Sequence, residues 1–230
     1  MADPQLNLFD TEEPAPPRPS VLPPVSVAPP PTASVEQVLA AGAAAASICQ
    51  RCRLGETRTK AVYGTGNPHA KIMLIGEGPG AQEDASGLPF VGPAGQLLTK
   101  VFASVGLDRE TDVYITNVVK CRPPGNRVPA PDEMAACKPY LDEQIEAIDP
   151  KIILLAGATA LKGVLDRTGI TRLRGEWLEQ DGRWYMPIFH PSYLLRNTSR
   201  DVGSPKWLTW QDMQKIRQRY DEICRQQGQG

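Results

Sequence analysis

Four cysteines stand at spacings that suit a metal. Cys49 and Cys52 form a Cys-x-x-Cys pair, Cys121 follows an apolar run and Cys137 lies sixteen positions beyond it. The x-x spacing lets one turn of chain offer two thiolates to the same ion, and four thiolates suit either zinc or an iron–sulfur cluster. One close pair with two distant single cysteines is less zinc-like than two close pairs. The fifth, Cys224, sits near the end of the chain and reads as a free thiol. An odd cysteine count in a chain expected to be cytoplasmic argues against a disulfide framework.

A second constellation begins at Lys71 and runs to Gly95, KIMLIGEGPGAQEDASGLPFVGPAG. A short apolar strand breaks into a loop carrying Gly76, Glu77, Gly78, Pro79 and Gly80. The acidic pair Glu83 and Asp84 follows, and then a lone aromatic, Phe90, between Pro89 and Gly92. A buried strand opening into a Gly-rich loop is how α/β proteins present ligand sites at the carboxyl end of a sheet. Asn117 lies in a later strand, unusual for a residue depleted in strands. His190, one of two histidines, stands where another strand ends. His69 lies in a GNPHAK loop and reads as a surface residue.

The elements that must position these groups follow from apolar patterning. Ser34 is a candidate N-cap for an Ala-rich helix over 35–47. Strands are expected at 71–75, 113–119, 151–156 and 184–189, the third apolar throughout, as interior parallel strands tend to be. Helices are expected at 93–105, 132–148, about 157–166 and 207–225, with a less regular stretch at 170–183 that could include a hairpin. Alternating strands and helices predict an α/β fold, a three-layer sandwich around a mainly parallel four-stranded sheet.

Residues 1–34 are set apart from 35–230. Nine of the 23 prolines fall in residues 11–33, without helical or strand periodicity, which predicts a polyproline-leaning tether unable to bury a core. Residues 1–34 carry a net charge of −3 within a chain total of −1, leaving +2 for the remainder, whose basic residues gather in loops where they can track phosphates. Apolar content of 41% and charged content of 22% fit a soluble globular protein. No run reaches membrane-span length, and the acidic N-terminus lacks the pattern of a secretory signal. A cytoplasmic monomer with no membrane partner is expected.

Taken together, GEGPG at 76–80, Glu83-Asp84, GLPFVGPAG at 87–95, TNVVKCRPPGNR at 116–127 and HPSYLLR at 190–196 resemble the iron–sulfur, family-four uracil-DNA glycosylases over about residues 45–225. The resemblance implies a uracil-DNA glycosylase-like fold and a [4Fe-4S] cluster on Cys49, Cys52, Cys121 and Cys137. It implies excision of uracil from DNA in base-excision repair, by flipping deoxyuridine out and hydrolysing its N-glycosidic bond. Gly76, Glu77, Gly78, Glu83, Phe90, Asn117 and His190 would contact uracil: Phe90 as stacking face, Asn117 reading O4 and N3, His190 donating to O2. Glu77 is the expected water-ordering carboxylate, with Glu83 and Asp84 as alternatives, because the third loop position, where the better-known GQDPY glycosylases carry Asp, is Gly78. Gly80 replaces their thymine-excluding Tyr, so Glu83 could take that role. Leu194 or Leu195 would wedge the gap in the duplex, and Arg122, Arg127 and Arg196 would hold phosphates. Gln5, Leu6, Leu8 and Phe9 resemble the bacterial sliding-clamp-binding motif. The competing expectation is a non-catalytic iron–sulfur DNA-binding adaptor tethered to a clamp.

Overall fold

A computed structural model describes residues 33–227. The tether and the clamp-like peptide at Gln5–Phe9 lie outside the described residues. In chain order the elements are α1 (Val35–Ser47), α2 (Leu54–Thr57), β1 (Thr65–Gly66), β2 (Ile72–Gly76), α3 (Ala81–Ser86), α4 (Pro93–Ala103), β3 (Val113–Asn117), α5 (Pro131–Ile148), β4 (Ile152–Ala156), α6 (Ala158–Leu165), α7 (Ile170–Leu173), β5 (Leu178–Gln180), β6 (Arg183–Ile188), α8 (Pro191–Arg196) and α9 (Pro205–Gln227). Ser34 caps α1 reciprocally: its Oγ accepts from Gln37 N at 3.3 Å, and its own N–H donates to Gln37 Oε1 at 2.9 Å. Pro93 and Pro131 open α4 and α5, where a missing N–H costs nothing.

The sheet order is β1-β3-β2-β4-β6-β5. The four expected strands form its parallel centre, in register at Leu74↔Ile115, Leu74↔Leu154 and Leu154↔Met186. The expectation of four strands is extended to six by β1 and β5, two- and three-residue antiparallel edges too short to show a pattern in sequence. Strand β5 forms a hairpin with β6, so the hairpin expected within 170–183 spans 178–188 instead, and 170–173 is the helix α7.

Side chains alternate between two cores. Met73, Ile75, Ile153 and Leu155 pack under α1, α5 and α6, while Ile72, Leu74, Ile152 and Leu154 pack under α4 and α9. All five residues of β2, β3 and β4 are buried, and each large apolar side chain removed from water there contributes about 1.5–3 kcal/mol. The result is helix–sheet–helix layering. From β2 the chain crosses to β3 on one side, then returns past β2 to β4 on the other. That reversal opens a crevice at the carboxyl ends of the strands, the usual ligand position in an open α/β sheet.

Candidate active site

The carboxyl ends of β2, β3, β4 and β6 bring Gly76, Asn117, Gly157 and His190 together. Gly76 is paired with Asn117 across the sheet. A side chain on Gly76 would stand 2.4 Å from Asn117 Oδ1 and 2.6 Å from Phe90 Cζ, so glycine is required for those two groups to meet. Asn117 is only 1% exposed, and its Oδ1 has no hydrogen-bond partner among the described residues. An unpartnered buried carbonyl costs about 1–3 kcal/mol and calls for a ligand or another explanation.

The Phe90 ring lies 5.8 Å from the His190 imidazole, tilted by 35°. His190 is the N-cap of α8. Its Nδ1 accepts from Ser192 N at 3.2 Å and lies 2.8 Å from Ser192 Oγ. A nitrogen that accepts from a backbone amide carries no proton, so the neutral ring holds its proton on Nε2, which bonds none of the described residues. Burial, and then the positive charge of Arg196, lowers the His190 pKa to about 4. The site thus presents a neutral N–H donor at physiological pH. Gly157, at φ +93°, leaves room beside it: a Cβ there would sit 3.0 Å from His190 Cβ.

Glu77 receives a hydrogen bond from Thr159 Oγ1 through Oε2, leaving Oε1 for another partner. Thr159, Gly157 and Ser192 are pocket supports that sequence reading placed in motifs or at a helix start without giving them a role. Arg109, which holds the Phe90 carbonyl, and Thr99, which accepts from Arg109, carried no sequence signal at all.

The other expected residues have their own partners and surroundings. Glu83 is committed to the loop after Phe90: its Oε1 accepts from Val91 N at 2.9 Å and Gly92 N at 2.8 Å. Asp84 is buried and accepts from Thr59 N at 2.9 Å. Leu194 is 2% exposed and packed inside, whereas Leu195 is 41% exposed and free to meet a ligand. Arg196 is exposed. Arg122 holds Asn126 Oδ1 at 2.8 Å. Arg127 is occupied by a two-pronged pair with Glu133, at 2.7 and 2.6 Å, which leaves less of it for phosphates.

Beside this pocket, Cys49, Cys52, Cys121 and Cys137 line one recess with about 290 Å³ of empty space, counting its open mouth. They come from the end of α1, the turn before α2, the loop after β3, and α5. Among the described residues no three acidic, His or Cys side chains close round a point as a single ion requires; the thiols ring a recess instead. Lys120 N donates to Cys137 Sγ at 3.2 Å, and Arg58 Nη1 lies 3.5 Å from Cys121 Sγ. Burial pushes the Cys52 and Cys121 thiols up and Cys137 up to about 11. These groups become thiolates only beside compensating positive charge, which a metal centre supplies.

The recess and the pocket meet at Lys120. Its buried ammonium donates to Thr116 Oγ1 and Gln144 Oε1, both at 2.6 Å, and to the Asn117 carbonyl at 2.8 Å. Burial lowers its pKa to about 8.

Residues 63–214 match the family model described as the uracil DNA glycosylase superfamily. The chain is 51% identical over 159 residues to a type-4 uracil-DNA glycosylase of Thermotoga maritima, covering 67% of this chain and 81% of that protein. It is 43% identical over 180 residues to the type-4 enzyme of Sulfurisphaera tokodaii, covering 74% and 79%. Against that of Archaeoglobus fulgidus it is 46% identical over 157 residues, covering 64% and 78%.

Proposed function

Since the chain belongs to the uracil DNA glycosylase superfamily, we propose that its strand-end pocket excises uracil from DNA. The protein is a monofunctional uracil-DNA glycosylase of DNA repair. The observation that carries the pocket assignment is the enclosed, unpartnered Asn117 Oδ1 beside Phe90 and His190.

The target bond lies inside the duplex, so the nucleotide is turned out into the pocket. Phe90 supplies the stacking face. The Asn117 amide offers one donor and one acceptor, matching uracil O4 and N3–H; cytosine, with a donor and an acceptor reversed, leaves both ends unpaired. Water adds at C1′ as the C1′–N1 bond breaks; the bonding pair leaves with the base, which ends with the proton that the water sheds. Negative charge develops at O2, where the Nε2–H of neutral His190 donates without prior proton transfer. Glu77, held through Oε2 by Thr159, orders the water with Oε1. Gly76 and Gly78 let the base approach the backbone, and Glu83, which holds the loop through Oε1, has Oε2 left to meet the ligand. Leu195 fills the vacated stack, and Arg196 and Arg122 contact phosphates. The site is complete within one chain, so a monomer suffices, acting in the compartment that holds the DNA, the cytoplasm. A non-catalytic adaptor is not favoured.

The four cysteines fit a [4Fe-4S] cluster: all donors are sulfur, two accept hydrogen bonds, and all four line one recess although they come from separate stretches of chain. When bound, the cluster supplies a cross-link among α1, the loop after β3 and α5. Brown colour with absorbance near ~400 nm supports it; a colourless protein holding one zinc overturns it. Residues 35–230 form the glycosylase unit, and residues 5–9 dock on a sliding clamp. Clamp affinity is expected to vanish in a Leu8→Ala/Phe9→Ala double variant, and unchanged binding ends that reading.

The activity is tested with a duplex carrying one uracil, incubated with the protein and then treated with alkali. Strand cleavage at the uracil is expected; an intact strand overturns the glycosylase reading.

A further inference from the structure

Phe90 stands at φ +53°, in the left-handed region that bulky side chains rarely adopt. The cost of that conformation must be met by its surroundings. Arg109, only 15% exposed, reaches across from nineteen positions away. Its Nη1 donates to the Phe90 carbonyl at 3.0 Å and to Thr99 Oγ1 at 3.1 Å, and its Nη2 donates to the Pro89 carbonyl at 3.2 Å. From the other side, Glu83 Oε1 gathers the next two amides, Val91 N and Gly92 N. Gly95 closes the arrangement: a Cβ there would fall 1.7 Å from the Phe90 carbonyl oxygen, so the first turn of α4 packs against the strained peptide.

The structure assigns Arg109, we infer, as a positioning residue: its planar guanidinium fork holds Phe90 left-handed, so that the ring is fixed as the stacking face before the base arrives. The inference rests on the reading of Phe90 as that face. Two consecutive carbonyls and one hydroxyl accept from one side chain, a pattern that suits arginine's fixed fork and not the single point of a lysine ammonium. Without Arg109 the loop loses the donors that favour the left-handed peptide. Phe90 then relaxes toward ordinary backbone angles, and its ring leaves the position 5.8 Å from His190. Part of the affinity for the base would go into reordering the loop.

The test is a double-variant cycle on the full chain, reading inhibition by free uracil, single-turnover excision from a one-uracil duplex, and thermal unfolding. Phe90→Ala, Arg109→Gln and the double variant are compared with the parent, and Arg109→Lys serves as the milder change. Arg109→Gln should weaken inhibition by uracil about 10-fold, close to the effect of Phe90→Ala, and the double variant should be no worse than Phe90→Ala alone, because neighbours that act as one unit are not additive. Arg109→Lys should fall between parent and Arg109→Gln while unfolding near the parent temperature. Should Arg109→Gln fail to fold, Arg109→Lys in the Phe90→Ala background gives the same comparison. Losses that simply add, or unchanged uracil inhibition in a folded Arg109 variant, overturn the assignment. If the parent releases no uracil, the proposed activity fails instead, and that failure is separate.

Discussion

Around Glu133, beside the cysteine recess, every acceptor is occupied. One carboxylate oxygen takes Arg53 at 2.7 Å and Arg127 at 2.6 Å, and the other takes Arg127 at 2.7 Å and Ala130 N at 2.7 Å. In the pocket at the neighbouring strand ends the opposite holds. Among the described residues the enclosed Asn117 Oδ1 has no partner and the Nε2 of His190 makes no bond, and Phe90 sits at a strained backbone angle. A region that only has to hold its shape satisfies its polar groups internally, because each buried unpaired group costs stability. A region built to receive a ligand keeps groups open, and rigidity around them prevents collapse onto each other.

That contrast predicts where substitutions act. The largest effect belongs to His190→Ala, expected to lower single-turnover excision by about 100- to 1,000-fold while the unfolding temperature falls only by the loss of the α8 N-cap, worth about 0.5–2 kcal/mol. Parent-like rates would remove His190 from the mechanism. Asn117→Ala should lower kcat/KM for a uracil duplex by about 10- to 100-fold, as two base contacts are lost. It should not destabilise the fold, since the open Oδ1 contributes nothing to the free protein. A marked fall in unfolding temperature would show that Asn117 is an ordinary core residue.

Glu133→Gln should reverse the pattern, costing about 2 kcal/mol of stability with little direct effect on the chemistry of folded, fully loaded protein. The Arg127 hydrogen bonds hold the Glu133 pKa down to about 2 from 4.5, against the opposing effect of burial. A carboxylate lowered in the folded state stabilises above its unfolded pKa, and the stability is lost as pH falls. Acid titration of unfolding should show this loss between about pH 4.5 and 2, absent in Glu133→Gln. Leu195→Ala should lower activity only a few-fold, and on duplex DNA more than on single strands, because a wedge matters only where a stack must be refilled. An equal effect on both substrates would deny the wedge role. Last, the pH profile of excision should show no step near 6.5 attributable to His190, whose imidazole stays neutral down to about pH 4. A step near 6.5 that disappears in His190→Gln would mean the pocket binds imidazolium.

Much of this is legible in the sequence. The helix at Val35–Ser47 and the central strands follow from cap chemistry and uninterrupted apolar runs, signals that are local and strong. The edge strands β1 and β5 were not read as strands, because two or three residues carry no period. The short helices α2, α3, α7 and α8 were hidden for the same reason. Among site residues, those in motif-bearing loops were visible, but their roles were only partly so. The resemblance gives Glu83 as a ligand contact; that its Oε1 also gathers the amides of Val91 and Gly92 is visible only in the folded loop. Leu194 and Leu195 are indistinguishable by type, and only the packing of α8 buries one and exposes the other.

Sequence by itself determined the alternating α/β layering, the strands that lead to Gly76, Asn117 and His190, and the four-thiol set, since these depend on residue type, short-range pattern and motif; the end of the second strand, expected at 119, falls at Asn117 in the structure. Tertiary structure alone decided which groups remain open and which are taken. Arg109 reaches Phe90 from nineteen positions away, Thr159 reaches Glu77 from 82, and Arg53 reaches Glu133 from 80. A hydrogen bond depends on distances of a few ångströms in space, and separation along the chain carries almost no information about them.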